Sequence, residues 1–382
     1  MLPEKSFKYI FLLVALSVAT GCTDRIAGEK NETDLAPDTT VRYSKRFAVA
    51  RAAGGDTYVY LIGNRNSSDT TAVFHLSRTL PSRIIGPGNY VVHIPCKSIA
   101  ALSSIYAQAI YELGCLGSLT AIDNADYITN EHVLSAIVGK KLPELAKTPN
   151  IDVEQALLLA PDIVFTYGMG DGSGPDARLE QAGIPVAVSV DHLEETPLAR
   201  AEWIKFFGEF VGRREVADSL FLKTEKGYQA NKLRASQYTD RPTVFCEIKY
   251  SDAWYMPGGR SYVAALLRDA GADYLWAGDS HAGSLPLTFE EVFKRARDAD
   301  FWIHLSMIRS KAELLSFERR YASFRAYKEG NLYNNTLFTN SKGYSSYWES
   351  GMLHPDRILS DLVSIFHGVQ EDAPFYYYEK IR

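Results

Sequence analysis

The sequence predicts an α/β fold: two Rossmann-like lobes with parallel sheets, joined by a long rigid helix, with an N-terminal β-hairpin extension. Three observations predict it. From Tyr90 onward short apolar strands alternate with amphipathic helices, the grammar of βαβ units. That alternation is interrupted once, over residues 196–239, by a stretch that opens on Thr196-Pro197 and has helical patterning without further proline. Finally, NIDVEQALLLAPDIVF (150–165) is echoed by LTFEEVFKRARDADFWI (287–303), each an acidic helix start, an alanine-and-aspartate step and a buried strand. One large sheet would not need its alternation broken by so long a helix, whereas two lobes do.

The elements follow in order. Residues 1–22 read as a targeting segment: Lys5 and Lys8 give a positive start, YIFLLVALSVA an apolar run, and Ala19, Thr20 and Gly21 lead into Cys22. Small residues ending on Cys resemble a bacterial lipobox, with Ala19 where Leu is usual, so Cys22 is the expected lipidation site. Residues 23–40 are polar and read as a flexible tether. RFAVARAAGGDTYVYLIG and TAVFHLSR give a hairpin extension over 41–89, read as a decoration. The first lobe, 90–195, comprises strand YVVHIP, helix SIAALSSIYAQAIYELG, strand SLTAI, helix VEQALLLA, strand DIVFTY, helix RLEQAG and strand IPVAVSV. The linker, despite Gly208 and Gly212, reads as one long helix or two in near-continuity. The second lobe, 240–382, runs PTVFCEI, SYVAALLRDAG, ADYLWA, FEEVFKRARD and FWIHLS, closing on helix LHPDRILSDLVSIFHG.

Composition narrows the function. A chain of 382 residues, 46% hydrophobic, can bury the cores of two domains. A net charge of -5 without a clustered basic face gives no footprint for nucleic acid. Four cysteines without a CxxC spacing suggest neither zinc nor redox chemistry, and whether Cys96 and Cys115 are bridged stays open. The eight histidines form no HxH or HxxxH pair, so no metal site and no cofactor is expected. Gly278-Asp279-Ser280 resembles the nucleophile block of GDS-type esterases, with His281 or His354 imaginable as base. That block normally follows a domain's first strand, and no DxxH partner stands near the C-terminus, so an enzyme is not expected.

Several stretches carry a family resemblance: KSIAALSSIYAQAIYELGCLGSLTAID and NIDVEQALLLAPDIVF in the first lobe, PLARAEWIKFFGEFVG at the linker, and GGRSYVAALLRDAGADYLW, PLTFEEVFKRARDADFWI and YWESGMLHPDRILSDLVSIFHG in the second. In this order, behind a lipobox, they resemble the substrate-binding proteins of ABC importers for cobalamin, ferric siderophores and haem. The resemblance covers roughly residues 91–368; it departs from the family in the added hairpins and in ARDAD, where a Pro-Asp pair is usual. It implies a lipid-anchored protein, periplasmic or on the cell surface, that captures a metal chelate, an iron chelate foremost, and docks on an ABC permease dimer through one acidic residue per lobe, Glu154 and Glu290. Both glutamates also suit the first turn of a helix through its dipole. Partnership with an outer-membrane receptor is a further reading, supported only by the extra hairpins.

Ligands of open α/β sheets sit outside the carboxyl ends of the strands. The loops there nominate Lys97, Tyr127, Tyr167 and Met169 from the first lobe, and Trp254, Tyr255, Arg260, Trp276, His281, Arg309, Tyr344 and Trp348 from the second. Aromatic faces suit flat chelates, and Arg and Lys suit anionic ones. Trp276 follows a strand directly and fits core as well as cleft, Trp348 could cap the last helix, and His281 and Arg309 have solvent as their default.

Overall fold

The computed structural model describes residues 35–64, 67–147, 150–167, 176–368 and 374–382. Cys22, Met169 and most of the predicted tether lie outside these.

Strands β1 (Leu35–Pro37), β2 (Phe47–Ala52), β3 (Thr57–Asn64), β4 (Ser67–Ser77), β5 (Arg83–Gly86) and β6 (Asn89–His93) form one sheet in the order β1-β2-β3-β4-β6-β5. Three expectations change here. The tether expected to reach residue 40 enters the sheet at Leu35, paired with Ala52. The strand YVVHIP, assigned to the first lobe, runs parallel to β4 and completes the extension. The extension is also no loose decoration, because it is fastened to the linker. The buried Glu202 carboxylate accepts the backbone N–H groups of Arg42, Tyr43 and Ser44 at 2.9, 2.7 and 2.8 Å. Arg51 bridges Asp38 and Glu209. Charge-assisted bonds of this kind are stronger than neutral ones.

The first lobe therefore starts at β7 (Ile99–Ala101), within a segment read as helix. Ile99, Ala100 and Ala101 are fully buried, as in a central parallel strand, where a continuous apolar run replaces alternation and looks helical by pattern alone. Helix α1 (Ser104–Glu112) follows, then β8 (Leu119–Ile122) and α2 (Glu131–Lys140), whose first N–H groups are capped by Asn130. A short antiparallel pair, β9 (Ala146–Lys147) and β10 (Asn150–Ile151), leads to α3 (Val153–Leu159), β11 (Ile163–Tyr167), α4 (Asp176–Gln181) and β12 (Val186–Ser189). The sheet is parallel throughout, in the order β12-β11-β7-β8.

The linker is three helices rather than one or two: α5 (Pro197–Ala201), α6 (Trp203–Phe210) and α7 (Arg214–Ala235). Gly212 makes the second break, at φ +64, a backbone region that a β-carbon penalises. Trp203, Phe206, Phe207 and Phe210 are buried against Phe47 of the extension and Phe165 of the first lobe. Each such ring contributes about 1.5–3 kcal/mol by burial.

The second lobe contains β13 (Thr243–Cys246), β14 (Lys249–Tyr250), β15 (Ala253–Pro257), α8 (Tyr262–Asp269), β16 (Asp273–Tyr274), β17 (Ser284–Leu287), α9 (Phe289–Ala296), β18 (Phe301–Ile303), α10 (Lys311–Phe317), α11 (Arg325–Glu329), β19 (Leu332–Asn334), α12 (Pro355–His367) and β20 (Glu379–Lys380). Its main sheet has the order β16-β13-β18-β19-β20, parallel except for β20. A small antiparallel sheet, β14-β15-β17, was not legible from the alternation. The repeated unit occupies equivalent places: α3 leads into β11 and α9 into β18, each strand flanked by parallel partners on both sides.

Candidate functional site

In the first lobe the parallel strands end on Ser103 and Ser104 just past β7, Asp123 just past β8, and Tyr167 closing β11. These residues and Tyr127 form one wall of a cavity of about 290 Å³. The facing wall is Tyr344, Ser345 and Trp348 of the second lobe. Four aromatic rings thus converge with one carboxyl group. Burial, then the charge of Glu144, push the Asp123 carboxyl up to about 6.

The two walls are tied together beside the cavity. The Tyr127 and Tyr344 rings meet edge to face with centroids 4.7 Å apart. Asn340 Nδ2 donates to the carbonyl oxygens of Asp126 and Ile128 at 2.7 and 3.0 Å. The Thr129 N–H donates to Glu349 at 2.8 Å, and Lys342 lies 3.6 Å from Asp126. Burial raises the Glu349 carboxyl above its ordinary range, against the hydrogen bonds from Thr129 that lower it.

Four of the nominated residues therefore come together: Tyr127, Tyr167, Tyr344 and Trp348. Others do not. Trp254 is 0% exposed in the second-lobe core against Trp302, Tyr321 and Phe324, its Nε1 donating to the Cys246 carbonyl. Trp276 is also core, with the Arg295 guanidinium over its ring. The cause is local: Gly258 and Gly259 let the end of β15 approach the His281 and Asp279 carbonyl oxygens so closely that no β-carbon would fit. Residues 254–257 pair with β17, and residues 258–260 lie against the 276–283 loop. Tyr255 is half-exposed on β15 without lining the cavity. Arg260 is exposed and pairs with Glu195 at 2.6 Å. His281 binds Asp279, and Arg309 donates to Thr339. Lys97 precedes β7, so it lies at the opposite strand ends, beside a separate depression of about 450 Å³ shared with Cys96, Cys115 and Arg213. The expected cationic component does not line this cavity: among the described residues that line it, none is Lys or Arg, and Lys342 stands beside it, paired with Asp126.

The sequence reading missed Ser103, Ser104, Asp123 and Ser345. Asp123 had a legible signal, being the first residue past a strand. His354, imagined as a base for Ser280, instead hydrogen-bonds Glu112 at 2.9 Å.

A family model of the periplasmic binding proteins matches residues 99–335. The chain belongs to that family. The match begins at β7, where the first lobe begins, and so leaves the extension outside it. Within this periplasmic binding protein family, the chain is similar in fold to a haem-binding protein from Pseudomonas aeruginosa, with TM-score 0.57 and 19% identity, covering 75% of this chain and 98% of that one. It is also similar to a protein from Saccharomonospora viridis of an ABC-type Fe3+-hydroxamate transport system, with TM-score 0.52 and 17% identity, covering 72% and 94%. An uncharacterised lipoprotein of Methanocaldococcus jannaschii is 29% identical, over 74% of this chain and 68% of that protein.

Proposed function

We propose that this periplasmic binding protein captures a compact metal chelate of neutral or positive charge between its lobes, a ferric trihydroxamate first among them, and delivers it to an ABC permease. The observation that carries this reading is the lining of the 290 Å³ cavity: Tyr127, Tyr167, Tyr344 and Trp348 with Asp123, and no Lys or Arg among the described residues that line it. An anionic catecholate or carboxylate chelate would require Arg or Lys partners. A neutral or cationic one is held by aromatic faces, and a positive charge gains from both the rings and Asp123. Cobalamin, uncharged and broad, is the second reading; a cavity of about 290 Å³ favours the smaller ligand.

Lipidation at Cys22 would hold the protein at a membrane on the periplasmic side or the cell surface. The lipobox-like sequence and the lipoprotein relative support that placement. Glu154 and Glu290, both exposed near helix starts in different lobes, are proposed to meet the two permease subunits.

Native mass spectrometry against ferrioxamine B, ferric enterobactin, cyanocobalamin and haem tests the reading. A complex with ferrioxamine B is the predicted result. Capture of ferric enterobactin alone, which carries a large negative charge, would contradict it.

A further inference from the structure

Three adjacent parallel strands of the second lobe, β13, β18 and β19, are each followed at once by a polar residue: Glu247, His304 and Asn335. These positions correspond to those that supply the cleft in the first lobe, where Asp123 directly follows β8. Two of the three polar residues adopt backbone that disfavours any residue with a β-carbon, Glu247 at φ +66 and His304 at φ +60; Ser306 beside them is at +56. Such conformations cost on the order of 1–3 kcal/mol each and cluster where side chains must be aimed. His304 Nδ1 and Asn335 Nδ2 are buried without a hydrogen-bond partner, which is uncommon in a folded protein. The His304 ring lies beside Trp348, centroids 6.5 Å apart, and the Ser345 hydroxyl donates to the Asn335 carbonyl. Trp348 and Ser345 both line the cleft.

Within this row Glu247 is the open member, its side chain 30% exposed, with His304 Nδ1 3.7 Å from Oε1; it stands outside the residues that line the 290 Å³ cavity and is linked to them through His304, the neighbour of Trp348. We propose that Glu247 is a ligand-contacting residue whose carboxylic acid donates a hydrogen bond to a carbonyl oxygen of the chelate, so that the second lobe selects ligands bearing amide or hydroxamate groups. The inference rests on the chelate-binding reading above and sharpens its ligand class.

The electrostatics agree. Burial pushes the Glu247 carboxyl up to about 8, so at neutral pH it carries a proton to donate. The titratable groups around it bring no compensating charge. Burial holds the His304 imidazole down near 3, and burial raises the Cys246 thiol and the Tyr274 and Tyr378 hydroxyls. Tyr378 in turn meets His304 Nε2 at 2.6 Å.

The test is calorimetric titration of the full chain with ferrioxamine B, and with cyanocobalamin, in the wild type, Glu247→Ala and Glu247→Gln. Alanine removes the donor and should weaken binding about tenfold, whereas glutamine keeps a donor and should stay within about threefold of wild type. Wild-type affinity should fall between pH 7 and pH 9 as the proton is lost, and Glu247→Gln should show no such fall. Glutamine as damaging as alanine, or neither change altering affinity, would overturn the proposal. If neither chelate binds the wild type, the chelate-binding reading itself fails, and the donor is then read separately from the infrared carboxyl band of the ligand-free protein. A protonated carboxyl band at pH 7 that disappears in Glu247→Gln supports the donor; its absence from the wild type at pH 7 overturns it.

Discussion

Tyr127 of the first lobe stands edge-on to Tyr344 of the second, ring centroids 4.7 Å apart, and both line the same cavity. The pair spans two lobes separated by the whole linker, so a cleft residue on one side already touches the other. Next to it Asn340 binds two first-lobe carbonyl oxygens. Asn340→Ala should therefore loosen the lobes without unfolding them, at about 0.5–1.5 kcal/mol per lost hydrogen bond. Small-angle scattering of the ligand-free protein should show a larger radius of gyration in the variant.

Two tryptophans should separate binding from folding. Trp348 is 49% exposed in the cleft, so Trp348→Ala should weaken ferrioxamine B binding by about 1–3 kcal/mol, with little change in Tm. Trp254 is wholly buried, so Trp254→Ala should cost about 3–5 kcal/mol of stability. Titration calorimetry and thermal melts of both variants check the contrast.

Asp123 should impose a pH dependence on binding. Its carboxyl is raised by burial and by Glu144 to about 6, so the folded state holds a proton that the unfolded state releases nearer 3.8. Its contribution to stability is thus full below about pH 4 and lost as pH rises through about 6. A cationic chelate favours the ionised form, so ferrioxamine B affinity should rise between pH 5 and pH 7. In Asp123→Asn that rise should vanish, and Tm at pH 7 should not fall.

Permease docking should be separable from capture. Glu290 is exposed and pairs with Arg320, whereas its neighbour Glu291 is engaged in the capping box with Thr288. Glu154→Lys combined with Glu290→Lys should abolish chelate uptake in cells and leave affinity in solution near wild type. Uptake at the wild-type rate would reduce both to helix-start residues.

Cys22→Ser should yield protein without acyl label, because Cys22 is the proposed lipid acceptor. Metabolic labelling with a fatty acid analogue, followed by membrane fractionation, reads the outcome.

The helices and strands that were legible have clean apolar periods, as in FEEVFKRARD and DIVFTY; α2, α10, α11, β19 and the small β14-β15-β17 sheet were not legible. Nor was the boundary between extension and first lobe. YVVHIP and SIAALSS are both short apolar runs, and only pairing across distant strands assigns one to the extension and makes the other a strand. The linker break at Gly212 was visible as a glycine, but its left-handed φ, taken beside Pro95 and Arg78, was not. In the cleft, Tyr127, Tyr344 and Trp348 were legible as aromatics in loops past strands, and Tyr167 as the aromatic that closes one. Trp254 met the same description and proved to be core, because the side-chain direction along β15 and the close approach of Gly258 and Gly259 are tertiary facts. Glu247 and His304 went unnominated because nothing local announces a positive φ at a residue that is not glycine.

The central claim is that the cavity between Tyr127, Tyr167, Tyr344 and Trp348 holds a chelate. Hydrogen–deuterium exchange of the full chain, with and without saturating ferrioxamine B, tests it most directly. The account predicts new protection in the segments around 123–129, 167 and 340–349. Protection confined to the extension sheet, or to the depression around Lys97 and Arg213, with none in the cleft segments, would contradict it.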